Sequence, residues 1–197
     1  DTEPVLDEPG LVEMLKFRAR KLSRCRLFPL GALTQGLSGQ ALTEMAELTE
    51  AGCVGFGQAN IAVLDTQVLL RAMQYAATFG YSIWLQAQDP HLAKGGVAHD
   101  GAVAARLGLT GIPVAAETIA LATLLHLARE TGVRLHLTRL SSAAGLAMVR
   151  AARAEGVAVS CDVAAHHLHL SENDIGWFDP HCRFDPPLRG DLDREAL

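Results

Sequence analysis

The sequence predicts an α/β fold with a parallel sheet, either an open doubly wound sheet or part of a (β/α)8 barrel with about five of the eight strands present, and three observations carry this. Amphipathic segments alternate with short apolar runs. A helix-ending glycine joins one to the next at four places, and the apolar runs are continuous rather than alternating. Glycine suits the left-handed position just past a helix C-terminus because it lacks Cβ. Continuous apolar runs are what strands of a parallel sheet, buried on both faces, require. The junctions are Ala51-Gly52-Cys53, Phe79-Gly80-Tyr81, Thr131-Gly132-Val133 and Glu155-Gly156-Val157.

In chain order, Leu11, Leu15, Ala19 and Leu22 have helical spacing, with Asp7 and Pro9 as start signals. A strand is expected near 26–31. Leu42, Met45 and Leu48 mark the next helix, for which Ser38 is the expected start, and a strand near 53–57 follows. Val68, Leu69, Ala72 and Ala76 form a helix opened by Asp65, then a strand near 81–86. Residues 87–112 read as a long glycine-bearing βα insertion of the kind that shapes a barrel mouth. Pro113 and Glu117 open a helix through Leu121, Leu124, Leu125 and Ala128, followed by a strand near 133–138. Leu146, Val149 and Ala152 give the last helix, before a strand near 157–162. Eight strands and about 250 residues make a complete barrel. Five strands in 197 residues would therefore be part of such a barrel.

Composition excludes several classes. With 49% hydrophobic and 20% charged residues the chain is an ordinary globular one. A net charge of −5 gives no reason to bind nucleic acid or a membrane surface, and no apolar run is long enough to span a bilayer. No secretory signal is visible, and Cys25, Cys53, Cys161 and Cys182 form no C-x-x-C pair, so reduced thiols in a cytoplasmic protein are expected. The glycines of Gly31-Ala32-Leu33-Thr34-Gln35-Gly36 have the wrong spacing for a dinucleotide fingerprint.

Barrel chemistry belongs at the carboxyl ends of the strands. There the sequence places Gly57-Gln58-Ala59-Asn60, Gln86-Ala87-Gln88-Asp89, Thr138-Arg139-Leu140-Ser141, and Asp162 leading to His166-His167-Leu168-His169. Amides and a guanidinium dominate. Arginine stays protonated and has no lone pair to offer a metal. Lys16, Lys21 and Lys94 are the only lysines and none falls at a strand end, which closes the route to a carbamate-bridged metal pair within these residues. His167 and His169 could share a face but lack a third ligand. His181 next to Cys182 is not by itself a nucleophile pair. Arg139 is expected to pair with Asp89 or Asp162, or else to grip an anion together with Arg189.

Runs spread over the chain resemble the dihydroorotase family of the amidohydrolase superfamily: Thr2-Glu3-Pro4-Val5, Leu30-Gly31-Ala32-Leu33-Thr34, Gly95-Gly96-Val97-Ala98-His99, Ala105-Arg106-Leu107-Gly108-Leu109 and Asp185-Pro186-Pro187-Leu188-Arg189. The resemblance implies a metal-dependent (β/α)8 barrel, of which residues 1–197 would be the central part of a single domain, cut at both ends and with flanking strands missing, yet the positions it assigns to Asp-Asp and to two ligand histidines hold Gln58, Ala59, Gln86 and Arg139. Its two substrate-holding asparagines read Asp1 and Asp185. No catalytic residue, metal ligand or cofactor is therefore expected. Asp1, Arg139, Asp162, Asp185 and Arg189 remain as a vestigial ligand pocket. The resemblance is greatest to non-catalytic dihydroorotase-like chains that associate with aspartate carbamoyltransferase catalytic chains in pyrimidine biosynthesis, as a hetero-oligomer or homodimer. The other reading is an active zinc-dependent dihydroorotase or related cyclic amidase, with ligands supplied by strands outside these residues.

Overall fold

The computed structural model describes residues 2–22 and 25–197. Helices α1 (Pro9–Leu22), α2 (Met45–Ala51), α3 (Thr66–Phe79), α4 (Ala102–Leu107), α5 (Val114–Thr131), α6 (Ala143–Ala154) and α7 (Asp191–Ala196) alternate with strands β1 (Leu30–Ala32), β2 (Gly55–Gly57), β3 (Ser82–Gln86), β4 (Ala98–His99), β5 (Gly111–Ile112), β6 (Arg134–Thr138) and β7 (Val159–Cys161). The larger sheet has the order β1-β2-β3-β6-β7, and β4 pairs with β5 in a second. β1 pairs in parallel with β2 through Gly31 and Phe56, and β2 with β3 through Phe56 and Ile83. Sequential parallel strands joined by helices make this part of a (β/α) barrel.

The junction glycines behave as expected. Gly52 (φ 112°) and Gly80 (φ 69°) are left-handed C-caps, and Gly80 donates to the carbonyls of Ala76 and Ala77. Asp65 caps α3, accepting from the amides of Gln67 (2.8 Å) and Val68 (3.3 Å).

Three expectations need correction. The first strand begins at Leu30, not near residue 26, because Arg26–Phe28 are exposed and Pro29 has no amide to donate. Ser38 does not start a helix; it ends a 3-10 turn over Gln35–Leu37, where Gly36 and Leu37 are left-handed, and α2 begins seven residues later. The 87–112 insertion is not all loop, since it holds β4, α4 and β5 around a small core of Ala98, Val103, Ala104 and Ile175.

The chain divides into two compact units. The first, residues 1–85 and 127–136, has a core of Val12, Leu33, Met45, Leu48, Phe56, Met73 and Ile83. In it the Lys16 ammonium donates to the Ala51 carbonyl (3.2 Å), tying α1 to the end of α2. The second, residues 86–126 and 137–197, buries Leu121, Leu137, Leu140, Val149 and Leu188. Among the described residues no helix is long and apolar enough to cross a membrane.

Candidate functional site

In the second unit the strand ends bring four of the expected residues together. Gln86 is the last residue of β3, Arg139 follows β6 and Asp162 follows β7. Arg139 takes a left-handed conformation (φ 57°), and its amide donates to the Asp162 carboxylate (2.8 Å). Its guanidinium donates through Nη2 to Gln86 Oε1 (2.5 Å) and through Nη1 to the Asp185 carbonyl (3.1 Å). The other end of the Gln86 amide, Nε2, is buried with no hydrogen-bond partner. Asp89, the other expected counterion, caps the turn that follows it, accepting from the amides of His91 and Leu92 (2.9 Å each).

These residues do not fit a zinc ion. Zinc takes imidazole, thiolate or carboxylate donors. The Gln86 oxygen is already engaged by a guanidinium, whose fixed positive charge opposes a second cation at that distance. Among the described residues no three His, Cys, Asp or Glu side chains are grouped to hold a metal. Asp1 lies outside the described residues.

In the first unit Gln58 is fully buried, and its Nε2 donates to Thr34 Oγ1 (2.8 Å) and to the Leu37 carbonyl (2.9 Å). Ala59 follows in the left-handed region (φ 51°) and offers no donor atom. The position therefore holds a packed amide that braces the turn after β1.

Arg189 is only 3% exposed and spends its donors inside the second unit. Nε donates to Ser141 Oγ (3.1 Å) and Nη1 to the Ile112 carbonyl (2.6 Å), while His99 Nδ1 lies 3.1 Å from Nη1. These contacts tie Arg189 into an internal network. Burial, then the nearby Arg189 charge, holds the His99 imidazole below its ordinary value, consistent with Nδ1 accepting from the guanidinium.

The sequence reading gave Glu117 only a helix-opening role. The structure makes it the anchor of this network. Its Oε2 accepts from the Ser141 amide (2.8 Å) and hydroxyl (2.7 Å), and its Oε1 from the Ser142 amide (3.1 Å) and hydroxyl (2.5 Å). Four donors at a buried carboxylate satisfy a charge that would otherwise be expensive. Gly145 makes the approach possible, because a Cβ there would run into the Glu117 carboxylate. A Ser-Ser pair three residues before a small residue was the available signal, but nothing local links it to a glutamate 24 residues earlier.

The histidines also find structural roles. His167 donates through Nε2 to the Pro187 carbonyl (3.1 Å), and His166 stacks on Phe184 with centroids 3.9 Å apart. The Cys182 thiol donates to the Asp174 carbonyl (3.3 Å), whereas His181 pairs with Asp179 (2.9 Å). A cavity of about 320 Å³, lined by Gln88, Arg183, Phe184 and Asp185, opens in the same unit.

Residues 1–145 match the model of the dihydro-orotase-like family. A dihydroorotase-like protein of Pseudomonas aeruginosa is 43% identical over 196 residues, covering 100% of this chain and 46% of its own length. A dihydroorotase of Pelotomaculum thermopropionicum is 36% identical over 197 residues, with 100% and 46% covered. The chain thus spans about half the length of the curated relatives it matches. Among solved structures, the L-hydantoinase (dihydropyrimidinase) of Arthrobacter aurescens superposes with a TM-score of 0.81 at 22% identity, over 100% of this chain and 45% of that one. A Saccharomyces cerevisiae dihydroorotase gives 0.69 at 18%, over 99% and 54%. These two likenesses concern the fold.

Proposed function

We propose that this chain, which belongs to the dihydroorotase-like family of the amidohydrolase superfamily, is part of a pyrimidine-biosynthesis protein that has given up hydrolysis and serves aspartate carbamoyltransferase catalytic chains as an assembly scaffold. The observation that carries the reading is the bond from Arg139 to Gln86. Two strand-end positions that the resemblance assigns to ligand histidines engage each other, so the cation that balances nearby oxygen atoms is covalent and permanent. Gln58 and Ala59 point the same way, one turned inward to brace a turn and the other without a donor.

The test uses the full-length protein, alone and co-expressed with the transferase chains. Metal analysis is expected to find substoichiometric zinc, dihydroorotate turnover is expected to be absent, and native mass measurement is expected to find a mixed complex. Stoichiometric zinc with turnover would overturn the inactive reading in favour of a zinc-dependent dihydroorotase or related cyclic amidase. Failure of the two proteins to co-purify would overturn the scaffold role.

A further inference from the structure

Two surface patches of this chain have opposite charge, and each exposes aromatic side chains, Phe17 beneath the Lys21 ammonium (4.4 Å to the ring centroid) among them. The first is α1 with residues 25–28. Lys16, Arg18, Arg20, Lys21, Arg24 and Arg26 fall in one stretch without an acidic residue. They are six of the chain's 17 Lys and Arg, so the other 11 face all 22 Asp and Glu. Among these cations Phe17 is 56% exposed and Phe28 is 65% exposed. A groove of about 400 Å³ lies here, lined by Lys16, Ala19, Arg20, Cys25, Arg26 and Phe28 among others.

The second patch is the loop over residues 172–181. Trp177 is 86% exposed and sits edge-on to Phe178, which is 47% exposed, with centroids 5.4 Å apart. Glu172, Asp174 and Asp179 lie within five residues of this pair in the sequence, with no Lys or Arg between residues 172 and 181. A tryptophan buries roughly 150–250 Å² when covered and is the side chain most enriched in interface hot spots.

We infer that the Trp177 loop of one copy docks into the basic groove beside α1 of a second copy. The indole would lie among Arg20, Arg26 and Phe28, where cation–π and apolar contacts act together, while the loop's acids face the cations of α1. Charge complementarity selects the occupant, because outside its basic stretch the chain is strongly acidic and this loop is where acid and exposed aromatics coincide. The contact is heterologous, one patch meeting a different one, so it is made twice in a closed dimer or repeated around a ring.

Sedimentation velocity on the full-length protein, without transferase chains, tests this. The wild type is expected to self-associate, more weakly as salt rises from about 50 to 500 mM. Trp177→Ala and the groove variant Arg20→Glu/Phe28→Ser should each weaken association by about tenfold or more. Both alter exposed side chains, and an unchanged thermal midpoint would confirm that each variant is folded. Mixing the two variants is the decisive arm: the first keeps its groove and the second keeps its tryptophan, so the mixture should regain one contact per pair and associate better than either alone. A monomeric wild type, variants as associated as wild type, or a mixture no better than its components would each overturn the inference. So would binding of the α1 face to anionic lipid vesicles in preference to a second copy. None of these readouts depends on zinc, turnover or the transferase.

Discussion

A buried carboxylate is tolerable only if its lone pairs are filled, and Glu117 meets this condition with two amides and two hydroxyls. Removing it leaves those donors and the Arg189 charge facing a void. Glu117→Ala should therefore cost about 3 kcal/mol or more in urea unfolding, and Gly145→Ala should be destabilising by displacing the same carboxylate. At the same scale, His167 is buried and its imidazole is held below the ordinary value near 6.5, first by burial. His99 is depressed in the same sense. Unfolding restores the higher value, so the unfolded chain binds more protons and stability is lost as pH falls below about 6.5. The urea midpoint should drop between pH 7.5 and 5.5, and less so in His167→Gln. Cys53 is buried and its thiol is pushed up to about 11, while Cys25 is exposed. A thiol reagent at neutral pH should label Cys25 first and reach Cys53 only on unfolding.

Elements were legible where one residue settles the local geometry. Asp65 caps α3 as its position before an apolar helical run implies, and Asp65→Ala should lower stability by about 1 kcal/mol, read by thermal or urea unfolding. Gly52 was legible for the same reason; replacing it would strain a left-handed position and drive a Cβ into the Lys16 ammonium. What could not be read depended on partners distant in sequence. β4 and β5 are two residues each and exist only because they pair with one another, so no run of apolar residues announces them. The start of α2 was misread because Ser38 has the chemistry of a helix cap, but Gly36 and Gly39 bend the chain left-handed around it. The candidate site divides the same way. That Gln58, Gln86 and Arg139 stand at strand ends followed from the alternation of elements. That Arg139 reaches Gln86, and that Arg189 is buried against Ser141, required the folded chain.

For the whole molecule, five parallel strands in the order β1-β2-β3-β6-β7 leave β1 and β7 as the edges of the sheet. The chain covers 46% of the length of relatives named dihydroorotase-like protein and dihydroorotase, and the charge asymmetry between α1 and the rest belongs to this scale as well. Metal content and assembly are therefore properties to measure on the full-length protein. Finally, under the loss of hydrolysis proposed above, the bond between Arg139 and Gln86 has a historical consequence. Each residue is now the other's reason for staying: Arg139→His alone would strip the Gln86 oxygen of its donor, and Gln86→His alone would set an imidazole against a guanidinium. Neither single step restores a ligand pair, and both loosen the strand ends, so the path back to metal chemistry descends before it climbs. The pair works as a ratchet, and directed evolution toward hydrolase activity should need both codons changed together.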